Sequence, residues 1–243
     1  VQAIAVSSYQ GGHVEFFKYM HDMLKERGSS HIRIFAGGGG VIRPDEIDEL
    51  QKYGIERIYD PEDGRILGLE GMIDDLLKRS DFHTIQIPNT TDASNKGADL
   101  PDPKDLNPDT PSAVARYITL AEMQMEPWNE LSQVINEKAE QNNAPVIGVT
   151  GTGGSGKSSL LDELVLRFRN DNPDKKVAML SADPSKTKTG GALLGDRIRM
   201  NSINGNDVYM RSLATRGSHS ELPVTIQDAI NVVKAAGYDI IFV

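Results

Sequence analysis

Residues 149–160 read VTGTGGSGKSSL. Gly151 through Ser158 satisfies the pattern G-x-x-x-x-G-K-S/T in full. The context is the one this pattern requires, with an apolar strand expected over 146–150 and an amphipathic helix after the loop. That helix is expected to carry Leu160, Leu161, Leu164, Val165 and Phe168 on one face. Glycines let such a loop wrap with its amides pointing inward, and the helix N-terminus adds partial positive charge, so a β-phosphate is held without side-chain bulk. Lys157 is expected to reach the β- and γ-phosphates and act catalytically, and the Ser158 hydroxyl to bind Mg²⁺. Spacing alone does not choose between GTP and ATP.

Working downstream, SADPS (181–185) sets Asp183 just past an expected strand at 177–181, and TGGALLGDRIRM (189–200) holds Asp196. Ligands of open parallel sheets gather beyond the carboxyl ends of the strands, where Asp is an oxygen donor suited to Mg²⁺. Each Asp serves equally well as a helix N-cap or turn residue. Strands at 208–212 and 238–243 and a helix at 224–236 complete this half. An acid completing the Mg²⁺ site is expected right after DIIFV (239–243).

Working upstream, residues 112–142 read as helical, with Ser112 as N-cap and a break near Glu126 imposed by Pro127. Residues 88–111, PNTTDASNKGADLPDPKDLNPDTP, have the composition of a linker. Residues 1–80 alternate strand and helix: strand 4–6 and helix 13–27 with Phe17, Met20 and Leu24 on one face, strand 32–36 and helix 45–53, strand 55–59, a loop DPEDG and helix 69–79. Three successive strand–helix units imply a parallel sheet with right-handed crossovers. The expected fold is α/β, with 1–87 and 144–243 as two partial domains joined by a linker (88–111) and a helical connector (112–143). Two further glycine turns lie in the first half, SSYQGG (7–12) and GGGG (37–40). By themselves these are ordinary strand-to-helix turns.

The chain has 243 residues with 26 basic and 35 acidic side chains, a net charge of −9 that argues against a nucleic-acid footprint. Without cysteine there is no disulfide, thiolate metal site or cysteine nucleophile. No apolar run approaches a membrane span and no signal peptide is present, so a cytoplasmic protein is the expectation. Both ends, VQAIAV and GYDIIFV, read as buried strands, which suggests an internal piece of a longer chain.

The blocks GVTGTGGSGKSS, SADPS, TGGALLGDRIRM, VYMRSLATRG and AAGYDIIFV together resemble the G-protein metallochaperones of cobalamin-dependent acyl-CoA mutases, GTPases of the SIMIBI class. AVSSYQGGH (5–13) and GGGGVI (37–42) resemble the Ser-x-Leu and Gly-Gly motifs of the flavodoxin-like cobalamin-binding domain of the same mutases. A cobalamin domain followed by this GTPase is the order of the family of fused isobutyryl-CoA mutases. The resemblance implies an isomerase that converts isobutyryl-CoA to n-butyryl-CoA by radical rearrangement with adenosylcobalamin, with a GTPase gating cofactor loading and protection. It implies an acyl-CoA substrate on a separate barrel domain, a homodimer and a cobalamin adenosyltransferase as partner. By carry-over, Gly154, Ser155, Gly156, Lys157, Ser158 and Ser159 hold the GTP phosphates and Arg199 contacts the nucleotide. Ser158, Ala182, Asp183 and Asp196 surround Mg²⁺, while Ser7, Tyr9, Gly39 and Gly40 wall a slot for the cobalamin's nucleotide tail. Tyr9 stands where the family has Leu. The family's Asp-x-His-x-x-Gly motif, which supplies a histidine to cobalt, does not occur in the sequence, and His13 and His21 read as surface or packing residues. A stand-alone cobalamin/GTPase metallochaperone and a P-loop small-molecule kinase are the alternatives.

Overall fold

The computed structural model describes residues 1–9, 11–86, 98–124, 126–152, 154–183, 197, 200–214 and 225–243. They form two compact units, Val1–Leu100 and Pro101–Val243.

In the first unit, β1 (Ala3–Ser7), β2 (Arg33–Gly37) and β3 (Arg57–Tyr59) form a parallel sheet in sequence order. The register runs from Ala3 opposite Arg33 to Ser7 opposite Gly37, and from Phe35 opposite Arg57 to Gly37 opposite Tyr59. This carries the ends of β1, β2 and β3 to one edge of the unit. Helices α1 (His13–Glu26) and α2 (Pro44–Tyr53) pack on the sheet through Phe17, Ile34, Ile42, Leu50, Ile55 and Ile58, with Met20 and Leu24 against them. The α1 face legible in the sequence is therefore the face that is buried. Each such side chain removed from water contributes about 1.5–3 kcal/mol before conformational entropy is subtracted.

Helix α3 (Pro61–Ser80) corrects one expectation. The stretch DPEDG is not a loop. The Asp63 amide donates to Asp60 Oδ1 at 2.8 Å and the Asp60 amide to Asp63 Oδ2 at 3.2 Å, a reciprocal cap with Pro61 in the first turn. A helical segment thus begins at Pro61, and the non-helical Gly68 (φ 64°, ψ 176°) divides it from a second segment that starts at 69, as expected. A two-residue parallel pair, β4 (Ile85–Gln86) with β5 (Ala98–Asp99), was not foreseen. Of the expected linker, 88–97 lie outside the described residues, and the rest holds β5, a 3₁₀ turn (Pro103–Asp105) and the start of the next helix.

The second unit holds a parallel sheet of β6 (Val146–Ile147), β7 (Val177–Asp183), β8 (Val208–Ala214) and β9 (Ile240–Phe242) in the order β6-β9-β7-β8. Helix α6 (Lys157–Asp171) covers one face through Val165, Val177, Met179, Met200, Met210 and Phe242. Successive β8 side chains point to opposite faces. Met210 joins the α6 cluster, whereas Arg211 bonds Thr119 and Glu122 of α4 (Pro111–Met123) on the other face. There α4 and α5 (Glu126–Glu140) both pack on α7 (Ile226–Ala235). The expected connector 112–143 therefore shares a unit with the phosphate loop. Thr110 takes the N-cap position with Pro111 behind it, in place of Ser112. The break before Pro127 is present: α4 ends at Met123, Gln124 is left-handed (φ 47°), and α5 starts at Glu126.

On α6 the apolar stripe is narrower than expected. Leu161, Val165 and Phe168, spaced i, i+4, i+7, enter the core, while Leu160 and Leu164 lie about 100° round the helix and are 53% and 40% exposed. Among the described residues no helix is long and apolar enough to cross a membrane.

Candidate functional site

In the second unit, the loop between β6 and α6 curls, among its described residues, through three glycines of positive φ, Gly151 (φ 157°), Gly154 (φ 78°) and Gly156 (φ 90°). Only glycine enters that region at no steric cost. Gly156 caps α6, with the Leu160 amide bonded to its carbonyl at 2.9 Å. Lys157 opens the helix, and its Nζ donates to the carbonyls of Gly151 (2.7 Å) and Thr152 (2.9 Å), which sets the ammonium within the curve of the loop. Ser158 follows in the first turn. A cation inside a glycine loop at a helix N-terminus is a ready anion site.

The strand beside the loop is β9. The Val149 amide bonds the Val243 carbonyl at 2.8 Å, and the Val243 amide bonds Ile147 at 2.9 Å. Asp183 ends β7 in register with Ala214, and Ala182 precedes it opposite Leu213. With strands about 4.8 Å apart, β7 runs about 10 Å from β6. The backbone of Ala182 and Asp183 thus shares the carboxyl edge of the sheet with the phosphate loop, one strand removed from it. Asp196 and Arg199 lie outside the described residues. Among the described residues no cluster of three or more His, Asp or Glu side chains could hold a metal by itself. A Mg²⁺ ion that takes most of its ligands from phosphate and water needs no such cluster.

One group here had no sequence signal. Asp162 on α6 accepts the backbone amides of Asn201 (3.0 Å) and Ser202 (2.7 Å). Burial pushes its carboxyl up, but the bonds from Ser202 and Asn201 outweigh it and hold it below the usual carboxylate range.

In the first unit, a cavity of about 530 Å³ opens at the carboxyl ends of β1, β2 and β3, lined by Ser7, Tyr9, Gly38, Gly39, Tyr59 and Met72 among others. The two upstream glycine turns meet there backbone to backbone. A Cβ on Gly38 would stand 2.6 Å from the Ser8 carbonyl oxygen and 2.8 Å from Ile42 Cγ1. The Ser8 amide bonds Gly37 at 2.9 Å. Gly39 (φ 56°) lies under the Tyr9 ring, and Gly40 (φ 91°) turns against Pro61. Of the four residues expected at a tail slot, Ser7, Tyr9 and Gly39 line this one cavity, and Gly40 sits beside it. Tyr9 is 72% exposed, a ring standing free at the mouth.

The cavity wall at Tyr59 is fixed. Its hydroxyl donates to Asp75 Oδ2 at 2.9 Å, and Arg79 Nε donates to the same carboxylate at 3.0 Å. Burial, then the bond to Asp75, pushes the Tyr59 phenol up to about 12, so it remains a neutral donor. His13 is buried with Nε2 3.1 Å from Glu46, and His21 stands edge-on to Tyr53 beside Asp22. Neither lines the cavity.

Residues 114–243 match the model of the methylmalonyl Co-A mutase-associated GTPase MeaB. The chain belongs to the MeaB GTPase family. The matched segment begins within α4, so the helical layer of α4, α5 and α7 falls within the family's match together with the phosphate loop. The chain is 57% identical to a fused isobutyryl-CoA mutase of Geobacillus kaustophilus (strain HTA426), over 100% of this chain and 22% of that protein. It is 51% identical to one of Cupriavidus metallidurans, over 100% of this chain and 21% of the relative. A putative GTPase of Pyrococcus abyssi is 44% identical over 54% of this chain and 40% of its own length. The chain spans about a fifth of the length of the fused mutases it matches.

Proposed function

We propose that this MeaB-family chain is the cofactor-handling portion of an adenosylcobalamin-dependent acyl-CoA mutase, with the first unit holding the cobalamin's tail and the second hydrolysing GTP to gate cofactor loading. The observation that carries this reading is the similarity to fused isobutyryl-CoA mutases across both units, not only across the GTPase segment. The cavity supports it. Its walls are glycine backbone, apolar side chains and two tyrosines, with Ser7 and Asp60 as polar groups, which suit a flat, largely apolar ring system carrying a few polar atoms. Ser7 and Tyr9 would flank that tail, and Gly39 and Gly40 would give it close backbone approach.

When bound, adenosylcobalamin supplies the cobalt–carbon bond whose homolysis starts a radical rearrangement. This chain's residues bind and orient its tail. Neither His13 nor His21 lines the cavity, so neither is assigned to cobalt. In the GTPase unit, Gly154 to Ser159 would wrap the phosphates, Lys157 would neutralise charge developing on them, and Arg199 would touch the nucleotide. Ser158, Ala182, Asp183 and Asp196 would surround Mg²⁺. Isobutyryl-CoA would bind a separate barrel domain, in a cytoplasmic homodimer served by an adenosyltransferase.

The match of 114–243 alone would suit a stand-alone chaperone, but that reading leaves the alignment of the first unit unexplained. The family match is to GTPases, which disfavours the kinase reading. The test is turnover by the full-length protein loaded with adenosylcobalamin. Formation of n-butyryl-CoA from isobutyryl-CoA supports the mutase, and GTP hydrolysis without isomerisation supports the chaperone.

A further inference from the structure

We propose that Asp162 and Arg169 form a clasp through which the phosphate-binding helix grips residues 201–207 and passes the state of the phosphate loop to β8. This rests on reading 149–158 as the GTP site. Asp162 stands one turn beyond Ser158 on α6 and takes two backbone amides, those of Asn201 and Ser202. Two turns further, Arg169 grips the other end of the same segment. Its Nε and Nη2 donate to the two oxygens of Asp207, its Nη1 to the Ser202 carbonyl, and its Nη2 to the Asn204 carbonyl at 3.2 Å.

The segment is shaped around these groups. A Cβ on Gly205 (φ 145°) would lie 2.5 Å from Asp207 Oδ1 and 2.7 Å from Arg169 Nη2, so glycine leaves the guanidinium its room. Ser202 is 2% exposed and Met200 joins the cluster around Val165. At the far end the Asp207 carbonyl accepts the Val177 amide at 2.8 Å, and β8 begins at the next residue.

Apolar burial would hold a helix on a sheet while tolerating small slides. Bonds from one helix to named amides and carbonyls of one loop do not. Any rotation or slide of α6 must either carry 201–207 with it or break charge-assisted hydrogen bonds. Since α6 starts at Lys157, load on the phosphate loop acts on the same rigid rod. Coupling of this kind is reciprocal: whatever nucleotide does to the clasp, the clasp does to nucleotide affinity.

The experiment is hydrogen exchange of peptides spanning 200–207 in the full-length protein, with and without a non-hydrolysable GTP analogue and Mg²⁺. Wild type, Asp162→Ala and Asp162→Asn are compared, with analogue affinity measured in parallel. In wild type the analogue should slow exchange at Asn201 and Ser202. Asp162→Ala should raise basal exchange about tenfold, the factor for roughly 1.4 kcal/mol, abolish the response and weaken the analogue. Asp162→Asn, which keeps an acceptor oxygen, should restore part of both, and it carries the comparison if the alanine variant does not fold. An analogue response that persists in Asp162→Ala or is undiminished in Asp162→Asn, or one that is missing in a wild type that binds the analogue, overturns the clasp. A wild type that does not bind the analogue overturns the GTP-site reading and the clasp with it.

Discussion

Replacing Gly38 by alanine should loosen the first unit and leave the second untouched. The added methyl would meet the Ser8 carbonyl oxygen at 2.6 Å and Ile42 Cγ1 at 2.8 Å. Ile42 can shift, but the Ser8 carbonyl belongs to a backbone tied by the Ser8–Gly37 hydrogen bond, so it yields only if the ends of β1 and β2 separate. Overpacking of this kind costs about 1–3 kcal/mol. Alanine returns about 0.4–1 kcal/mol by narrowing the unfolded ensemble. The net loss is about 1–2 kcal/mol, so opening of β1 and β2 should become roughly tenfold more frequent. Native-state hydrogen exchange of peptides covering 3–9 and 33–42 reads this directly. Trp128 is the one tryptophan and lies in the second unit, so its fluorescence in urea serves as an internal control. Exchange that is unchanged or slower at β1 and β2 would refute the backbone-to-backbone packing of the two glycine turns. A matching shift of the Trp128 transition would refute its confinement to the first unit.

Lys157→Ala should abolish GTP hydrolysis while leaving the Trp128 urea transition in place, because among the described residues the lysine bonds only the loop's own carbonyls; retained hydrolysis would remove Lys157 from the site. Arg211→Ala leaves Glu122, 11% exposed, without its cation. We expect a loss of about 2–3 kcal/mol, below the full cost of breaking a buried pair because Arg211 itself reaches solvent, read as an earlier Trp128 transition in urea. Burial pushes the Asp228 carboxyl up, against hydrogen bonds from Gln124 and Trp128. A raised acid gives stability that is present below its unfolded pKa and lost as pH rises through its folded value. Asp228→Asn should therefore flatten the fall in stability of the second unit from about pH 4 upward, and a variant with the wild-type pH dependence would contradict this.

The alternation of 1–59 was legible because each helix carried one apolar face and ended in glycine, as at Gly28 and Gly54. The phosphate loop was legible because its glycines serve a local geometry. DPEDG misled because Asp and Pro signal both loops and helix starts, and only the reciprocal bonds of Asp60 and Asp63 decide between them. Leu160 and Leu164 misled because a run of leucines does not say which edge of the stripe the sheet covers. The order β6-β9-β7-β8 is set by packing between distant segments, and with it the gap between Asp183 and the phosphate loop. The partners of Asp162 and Arg169 lie more than thirty residues away, where no spacing rule reaches.

The central claim is that the glycine-walled cavity of the first unit receives the cobalamin's tail. Ser7 ends β1, lines that cavity and is exposed, so Ser7→Leu fills the space with little cost to the core. Equilibrium binding of adenosylcobalamin to the full-length protein, followed by the cofactor's visible absorption, should be at least roughly tenfold weaker in Ser7→Leu, with GTP binding unchanged. Equal affinity in the two proteins, or no binding by either, would contradict the claim.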